Sequence, residues 1–343
     1  MRRNERVWLV VLGCALGCSS ARSESLEVAI SPGEPVPSAE ASAPKRKLSI
    51  GEQRTIRDGI QEVRSITCDH ARVAFADYGG EVYSYGFGDA SPKELSTKPK
   101  ITAVALSGED LYGIAEEKYP SGAVVKYGRG AWEVVSGGLS LADNKVAADT
   151  QSIVWVARAD AGDDALFVLD RKTGRIDPRP LGNLHSTLHR IVVDRRHAFV
   201  LAVDMNGYLR LYDVDLSTAG VREVPNASDV AEIDAADGML VGVRTAESGP
   251  HDIFVVGTPE RSIERIASLH HPSVAVGGGV ACYSASGSGT PPMVNCIDLT
   301  SGRKQKADDS DGDPAICGGE RLVWTRPGSI PGGSALVYAN LLW

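Results

Sequence analysis

From Ser65 onward, short apolar runs alternate with polar, glycine-rich turns, and the same pair of runs returns at a regular interval. The first runs read Ser65–Cys68, Ala103–Leu106, Lys145–Ala148, Arg190–Val193, Glu232–Ala235, Ser273–Val276 and Pro314–Cys317. Taking the last residue of each as an anchor, the spacings are 38, 42, 45, 42, 41 and 41. A second run follows each anchor. Six or seven residues past the anchor it carries Phe75, Tyr112, Trp155, Phe199, Tyr283 or Trp324, and in the fifth unit Val241. Third runs such as Glu81–Tyr85, Ala165–Leu169 and Tyr208–Tyr212 come next, then shorter polar ones such as Trp132–Val135 and Ile263–Ile266. Short apolar runs bounded by Gly, Asp and Asn predict strands joined by tight turns.

A period of roughly 40–45 residues with several strands per repeat is the signature of a β-propeller. The prediction is an all-β fold, a seven-bladed β-propeller of four-stranded antiparallel blades over 47–343. An aromatic at one recurrent height would fill the wedge between facing sheets, since interiors pack at near-crystal density. The seventh unit ends without a fourth strand. Lys47–Gln53 is predicted to supply it, pairing the two termini and covering an exposed sheet edge. A six-bladed ring with a stray seventh unit is the alternative. Gly51–Val63 also admits a helix, against which Gly59 and its Thr and Ile residues count.

Ahead of the repeat, Arg2, Arg3 and Arg6 precede an uncharged stretch from Val7 to Gly17. Eleven helical residues span roughly 16 Å, about half of a bilayer core. The segment therefore reads as a cleaved export signal over 1–17. Ala15-Leu16-Gly17-Cys18 resembles the bacterial lipobox, which implies a diacylated Cys18 as the new N-terminus. Val11-Leu12-Gly13-Cys14 fits the same pattern, but cleavage there leaves only a short apolar region, and an ordinary signal peptide is the further alternative. Residues 18–46, rich in Pro, Ser, Ala and Glu, read as an acylated Cys followed by a disordered tether. Ser19 after Cys18 resembles the outer-membrane sorting rule, so a lipid anchor in the outer membrane is expected.

Charge narrows the partners. Without residues 1–17, which hold three Arg and one Glu, the basic and acidic totals fall from 36 and 44 to 33 and 43, a net charge of −10. No basic stripe appears, so nucleic acid is not an expected partner and contact with the membrane is expected only through the anchor. Cys68, Cys282, Cys296 and Cys317 remain, an even number that suggests disulfides with three possible pairings. The strand assignment makes Cys282 and Cys296 candidate cross-strand partners, and Cys68 and Cys317 a candidate bridge between blades one and seven. Two reduced, buried cysteines are the alternative for the latter pair.

Candidate chemistry is sparse. His185 with His189 and the pair His270-His271 read as polar loop residues, since no other ligand type stands at metal spacing. Asp308–Asp313 looks like a calcium loop but has Pro314 where the essential Gly belongs and lacks the final Glu. It reads as an acidic turn, as does Asp160–Asp164, and no metal or cofactor is expected. No nucleophile elbow or phosphate loop occurs. The Gly- and Ser-rich run Ser284–Pro292 reads as a long hairpin loop within blade six. Asp69, Asp149 and Asp194 each follow an anchor, so they are candidate carboxylates at the channel mouth or caps of their own turns.

Leu169-Asp170-Arg171-Lys172-Thr173-Gly174-Arg175 and Ile297-Asp298-Leu299-Thr300-Ser301-Gly302-Arg303 resemble the turn of quinoprotein-type (PQQ-like) propeller repeats. The family's Trp after this turn is missing in both, so no quinone-binding residue carries over. One branch of that family is an outer-membrane lipoprotein that scaffolds β-barrel assembly, and a similar scaffold role is one implication. The expected function is a membrane-anchored, non-catalytic binding or scaffold propeller presenting loops to an envelope protein or polymer. A hydrolase or lyase working at the central channel mouth is the alternative, and a propeller sensing small ligands a third.

Overall fold

All seven predicted first runs are strands: Val63–Cys68, Ile101–Ser107, Val146–Ala148, Leu188–Asp194, Val230–Ala236, Val274–Gly277 and Pro314–Cys317. They belong to a computed structural model that describes residues 47–343 apart from 97, 119–120, 141–144, 159–163, 182–187, 205, 219, 226, 228, 246–249, 257–259, 267–271, 288–289 and 311. The export signal, Cys18 and the tether lie outside the described residues. Each first strand pairs antiparallel with a second, and six of the seven blades continue through a third and fourth in sequence order. The outer strand of blade two also touches the second strand of blade three through Ser140 and Arg158, so those two sheets are continuous there. The first strands stand side by side around a hub, which makes the chain a seven-bladed β-propeller.

The offset of six or seven between anchor and aromatic decides which neighbour the aromatic meets. Successive residues of a strand point to opposite faces, so one extra residue reverses the side chain. Phe75, Trp155, Tyr283 and Trp324, at offset seven, face the preceding blade. Tyr112, Phe199 and Val241, at offset six, face the following one. Tyr112 and Trp155 therefore share the interface between blades two and three. Between blades three and four neither side supplies an aromatic from its second strand. Val154, Val156, Leu166, Val200 and Val214 fill that wedge instead. The wedge between blades one and two likewise holds no second-strand aromatic, so the expectation of one such aromatic per wedge is corrected: side chains of other strands help fill these two.

Closure of the ring departs from the predicted boundaries. Ser49–Ile50 pairs with Leu342 and Leu341, but most of the outer edge of Ser334–Leu342 is covered by Arg54–Ile60. That strand lies in the segment that admitted a helix. Ile56 and Ile60 are buried and four residues apart, a spacing that puts them on one face of either a helix or a strand. The open edge of the C-terminal strand decides the matter. Cys68 and Cys317 are bonded at this junction, with Cα atoms 5.2 Å apart, and Cys282 and Cys296 are bonded across one ladder position.

Tight approach at the hub also constrains Gly278. Its φ is +56°, and a Cβ there would sit 2.5 Å from the Gly319 carbonyl oxygen of blade seven. Gly278→Ala should destabilise the chain by at least about 2 kcal/mol, through left-handed strain plus a backbone clash. Denaturant titration would show it as a lower midpoint with an unchanged slope.

Candidate functional site

The first strands surround a central channel with a volume of about 650 Å³. Being the innermost strand of its blade, each exposes backbone N–H groups that no sheet partner reaches. Side chains from the preceding blade bond several of them. Ser65 Oγ accepts from Val104 N (3.1 Å), Thr67 Oγ1 from Leu106 N (3.0 Å) and Asp234 Oδ2 from Val276 N (2.7 Å). These contacts pair equivalent positions of parallel first strands, so all seven begin at one face of the disc and end at the other.

Five charged residues line the channel: Arg64, Lys145 and Arg190 from blades one, three and four, and Asp234 and Asp313 from blades five and seven. Arg190 Nε lies 3.1 Å from Glu232 Oε1, with the two side chains 42% and 24% exposed. Water therefore reaches the pair, although protein surrounds it on most sides. Burial pushes the Asp234 carboxyl up to about 6, against the opposing pull of Arg190 and the Val276 N–H. Glu232 is raised by the same burial, with Arg190, Lys145 and His189 opposing and Asp313 reinforcing. For Arg190, burial is outweighed by Glu232, Asp234 and Asp313, and its guanidinium is held above its ordinary range. For both carboxyls, burial outweighs the pull of the nearby cations.

A stability profile follows from these directions. Asp234 binds its proton more tightly folded than unfolded, so its contribution is complete below the ordinary value of 3.8 and is lost as pH rises through about 6. Exposed carboxylates held low by backbone donors, such as Asp58 under Ser329 and Asp170 under Thr173, act in the opposite sense, and their contribution is lost as pH falls. Stability should fall between pH 4.5 and 7, with Asp234 accounting for about 1–2 kcal/mol of the fall. Thermal melts of Asp234→Asn across that window should show a flatter profile, and an unchanged slope would contradict the assignment.

The carboxylates singled out in the sequence lie at the end of the first strands away from Arg64, Lys145, Arg190, Glu232 and Asp313. Asp69 Oδ1 accepts from Ala71 N and Arg72 N, and Asp149 Oδ1 from Gln151 N and Ser152 N. Asp194 reaches the next blade, accepting from Gly238 N at 2.6 Å. Among the described residues, no three His, Cys, Asp or Glu side chains come together in a way that holds a metal. His185, His270, His271, Asp160 and Asp311 lie outside the described residues. Asp308 Oδ2 accepts from Trp324 Nε1 at 2.6 Å, and Lys306 pairs with Asp309, so part of that acidic turn is engaged locally. In the turn resembling quinoprotein repeats, Asp170 Oδ1 accepts from Thr173 N and Gly174 has φ +69°. Asp298 and Gly302 repeat that arrangement. Asp215, with Ser217 and Thr218, makes similar bonds in blade four, which the sequence reading passed over.

The two faces of the disc differ. Where the first strands end, the turns into the second strands are short, 69–71, 108–109, 149–151, 195–196, 237–238, 278–279 and 318–320, and the turns from third to fourth strands on that face run to six residues at 87–92. Neighbouring blades are tied together here. Arg72 donates to Gly108 O, Arg171 to Asp110, Gly278 N to Asp237 and Arg321 to His70 O. Where the first strands begin, the connections are longer, including 181–187, 224–229, 267–273, 309–313 and the hairpin loop 328–333. Tyr78, Tyr208 and Ile330 stand 56%, 59% and 45% exposed in loops of this second face. Arg64, Lys145 and Arg190 open onto it.

No protein-family model matches the chain, and no curated protein matches it in sequence. Among solved structures it is similar to the computationally designed Ika8 protein, with a TM-score of 0.52 and 14% identity over 83% of this chain and 98% of that one. It is also similar to TolB from Acinetobacter baumannii, with a TM-score of 0.47 and 14% identity over 67% of this chain. That match spans 60% of the TolB chain, less than two thirds of it. Likeness at such identity concerns the fold alone, and function has to be argued from the site. Two disulfides mark an oxidising compartment, extracellular or periplasmic.

Proposed function

We propose that the chain is an exported, lipid-anchored propeller that binds an envelope protein or polymer through its loop-bearing face and performs no catalysis there. Cys18 carries the acyl anchor in this reading, residues 19–46 hold the disc off the membrane, and the anchor is sorted to the outer membrane. The observation that carries it is the contrast between the faces. One is tied between blades by Arg72, Arg171, Gly278 and Arg321, while the other combines connections of up to seven residues, exposed Tyr78, Tyr208 and Ile330, and the charged channel mouth. Loops on a rigid scaffold are where binding residues concentrate, and exposed aromatics supply contact area at low entropic cost. A scaffold role, which the quinoprotein-type resemblance implies, uses the same face.

The test is capture of partners from detergent-solubilised envelopes by the full acylated chain. Tyr78→Ala combined with Tyr208→Ala should reduce capture of a specific partner at least about tenfold. Arg72→Ala, on the cross-tied face, should leave it unchanged. Equal loss from both faces, or no specific partner at all, would contradict the proposal. Cys18→Ser should release the chain from the membrane fraction.

A further inference from the structure

The charges on the channel wall are segregated around the ring. Arg64, Lys145 and Arg190 come from blades one, three and four, whereas Asp234 and Asp313 come from blades five and seven. Glu232, beside Asp234 on the same strand, adds to the acidic side and engages Arg190 where the two halves meet. Neither Arg64 nor Lys145 forms an ion pair among the described residues, and both are exposed to the channel mouth. On the acidic side, Asp313 accepts from Ser273 Oγ, and Asp234 accepts from the backbone N–H groups of Val276 and Ala235 and feels Arg190 at longer range, with no side-chain donor bonded to it. The cavity is thus a dipolar chamber, with one wall able to receive an anion and the facing wall a cation.

We propose that this channel binds a zwitterionic ligand, a short peptide with free termini, its ammonium against Asp234 and Asp313 and its carboxylate against Arg64 and Lys145. A simple anion would gain from Arg64 and Lys145 but be repelled by the facing carboxylates, and a simple cation would meet the converse. A ligand with both charges gains from both walls through charge-assisted contacts. The volume of about 650 Å³ lies within the range of small-ligand cavities. Burial already lifts Glu232 and Asp234, so an arriving ammonium would favour their ionised forms and release protons. The groups around Glu232 that set this response are Arg190, Asp313, Lys145 and His189. The proposal deepens the binding reading above by naming a ligand class, and it rests on that reading.

Calorimetry with the full chain in detergent would compare tetra-alanine, N-acetyl-tetra-alanine and tetra-alanine amide. Tetra-alanine should bind with release of protons between pH 5 and 7, read from its dependence on buffer ionisation heat. Each cap should weaken binding about tenfold, the effect of one charge-assisted contact. Asp234→Asn should abolish the sensitivity to acetylation and keep that to amidation, and Lys145→Gln should do the reverse. Absence of tetra-alanine binding at about millimolar concentration, or equal binding of the capped peptides, would overturn the proposal. If a variant fails to fold, the cap comparison on the unaltered chain decides alone. Envelope-partner capture that persists while tetra-alanine fails to bind would reject this chamber and leave the broader binding reading standing.

Discussion

Replacing Cys68 and Cys317 together by alanine is expected to remove up to about 5 kcal/mol of stability in oxidising buffer. The bond joins residues 249 apart, so it constrains nearly the whole propeller in the unfolded chain. It also holds the junction between the first and last blades, where a toroid would otherwise open. Cys282 and Cys296 are only 14 apart and already face each other across one hairpin. The same loop-entropy relation assigns that bond about 3 kcal/mol. Chemical unfolding of the two double variants should rank them in that order, and reductant should have no further effect on a variant lacking both bonds. The opposite ranking would mean that ring closure depends on contacts other than the clasp.

Removal of the closing strands should be more damaging still. A chain beginning at Lys47 should melt like the full protein, because all strands of the disc remain. A chain beginning at Glu62 loses Ser49–Ile50 and Arg54–Ile60, and with them the buried Leu48, Ile56 and Ile60. Burying each such side chain contributes about 2 kcal/mol. The deletion also bares the backbone edge of Ser334–Leu342, a template for pairing with another copy. Loss of cooperative unfolding and concentration-dependent association, followed by light scattering, are the expected results. A peptide spanning 47–61 added in trans should restore part of the transition.

Repeat number and strand order were legible because the anchor spacing is a one-dimensional property. Every second strand lies where the spacing put it, and the two disulfides follow from the strand positions. The face each aromatic covers was less legible, since offsets of six and seven look like noise until parity is considered. Arg54–Ile60 was ambiguous because Ile56 and Ile60 satisfy both periodicities, and only the unpaired C-terminal strand, far away in sequence, selects one. The charged channel was overlooked for a different reason. Lys145, Arg190 and Glu232 open three of the seven first runs, at the same position relative to the anchor, so their signal was present. Asp69, Asp149 and Asp194, directly after their anchors, stand instead at the end where turn and neighbouring-blade N–H groups consume the carboxylates. Which end of a repeat faces the longer loops is set by connection length, and that comparison separates the two.

In the proposed reading, recognition uses the face that carries Tyr78, Tyr208 and the charged channel mouth, and the Cys68–Cys317 clasp holds the first and last blades together. Both depend on the ring being closed and on the chain reaching an oxidising compartment. Trapping free thiols in intact cells by alkylation, followed by non-reducing peptide mapping of the full chain, tests the two together. The expected map joins Cys68 to Cys317 and Cys282 to Cys296, with none of these four alkylated. Alkylated Cys68 or Cys317, or a bridge from either to Cys282 or Cys296, would contradict a propeller closed by its own termini.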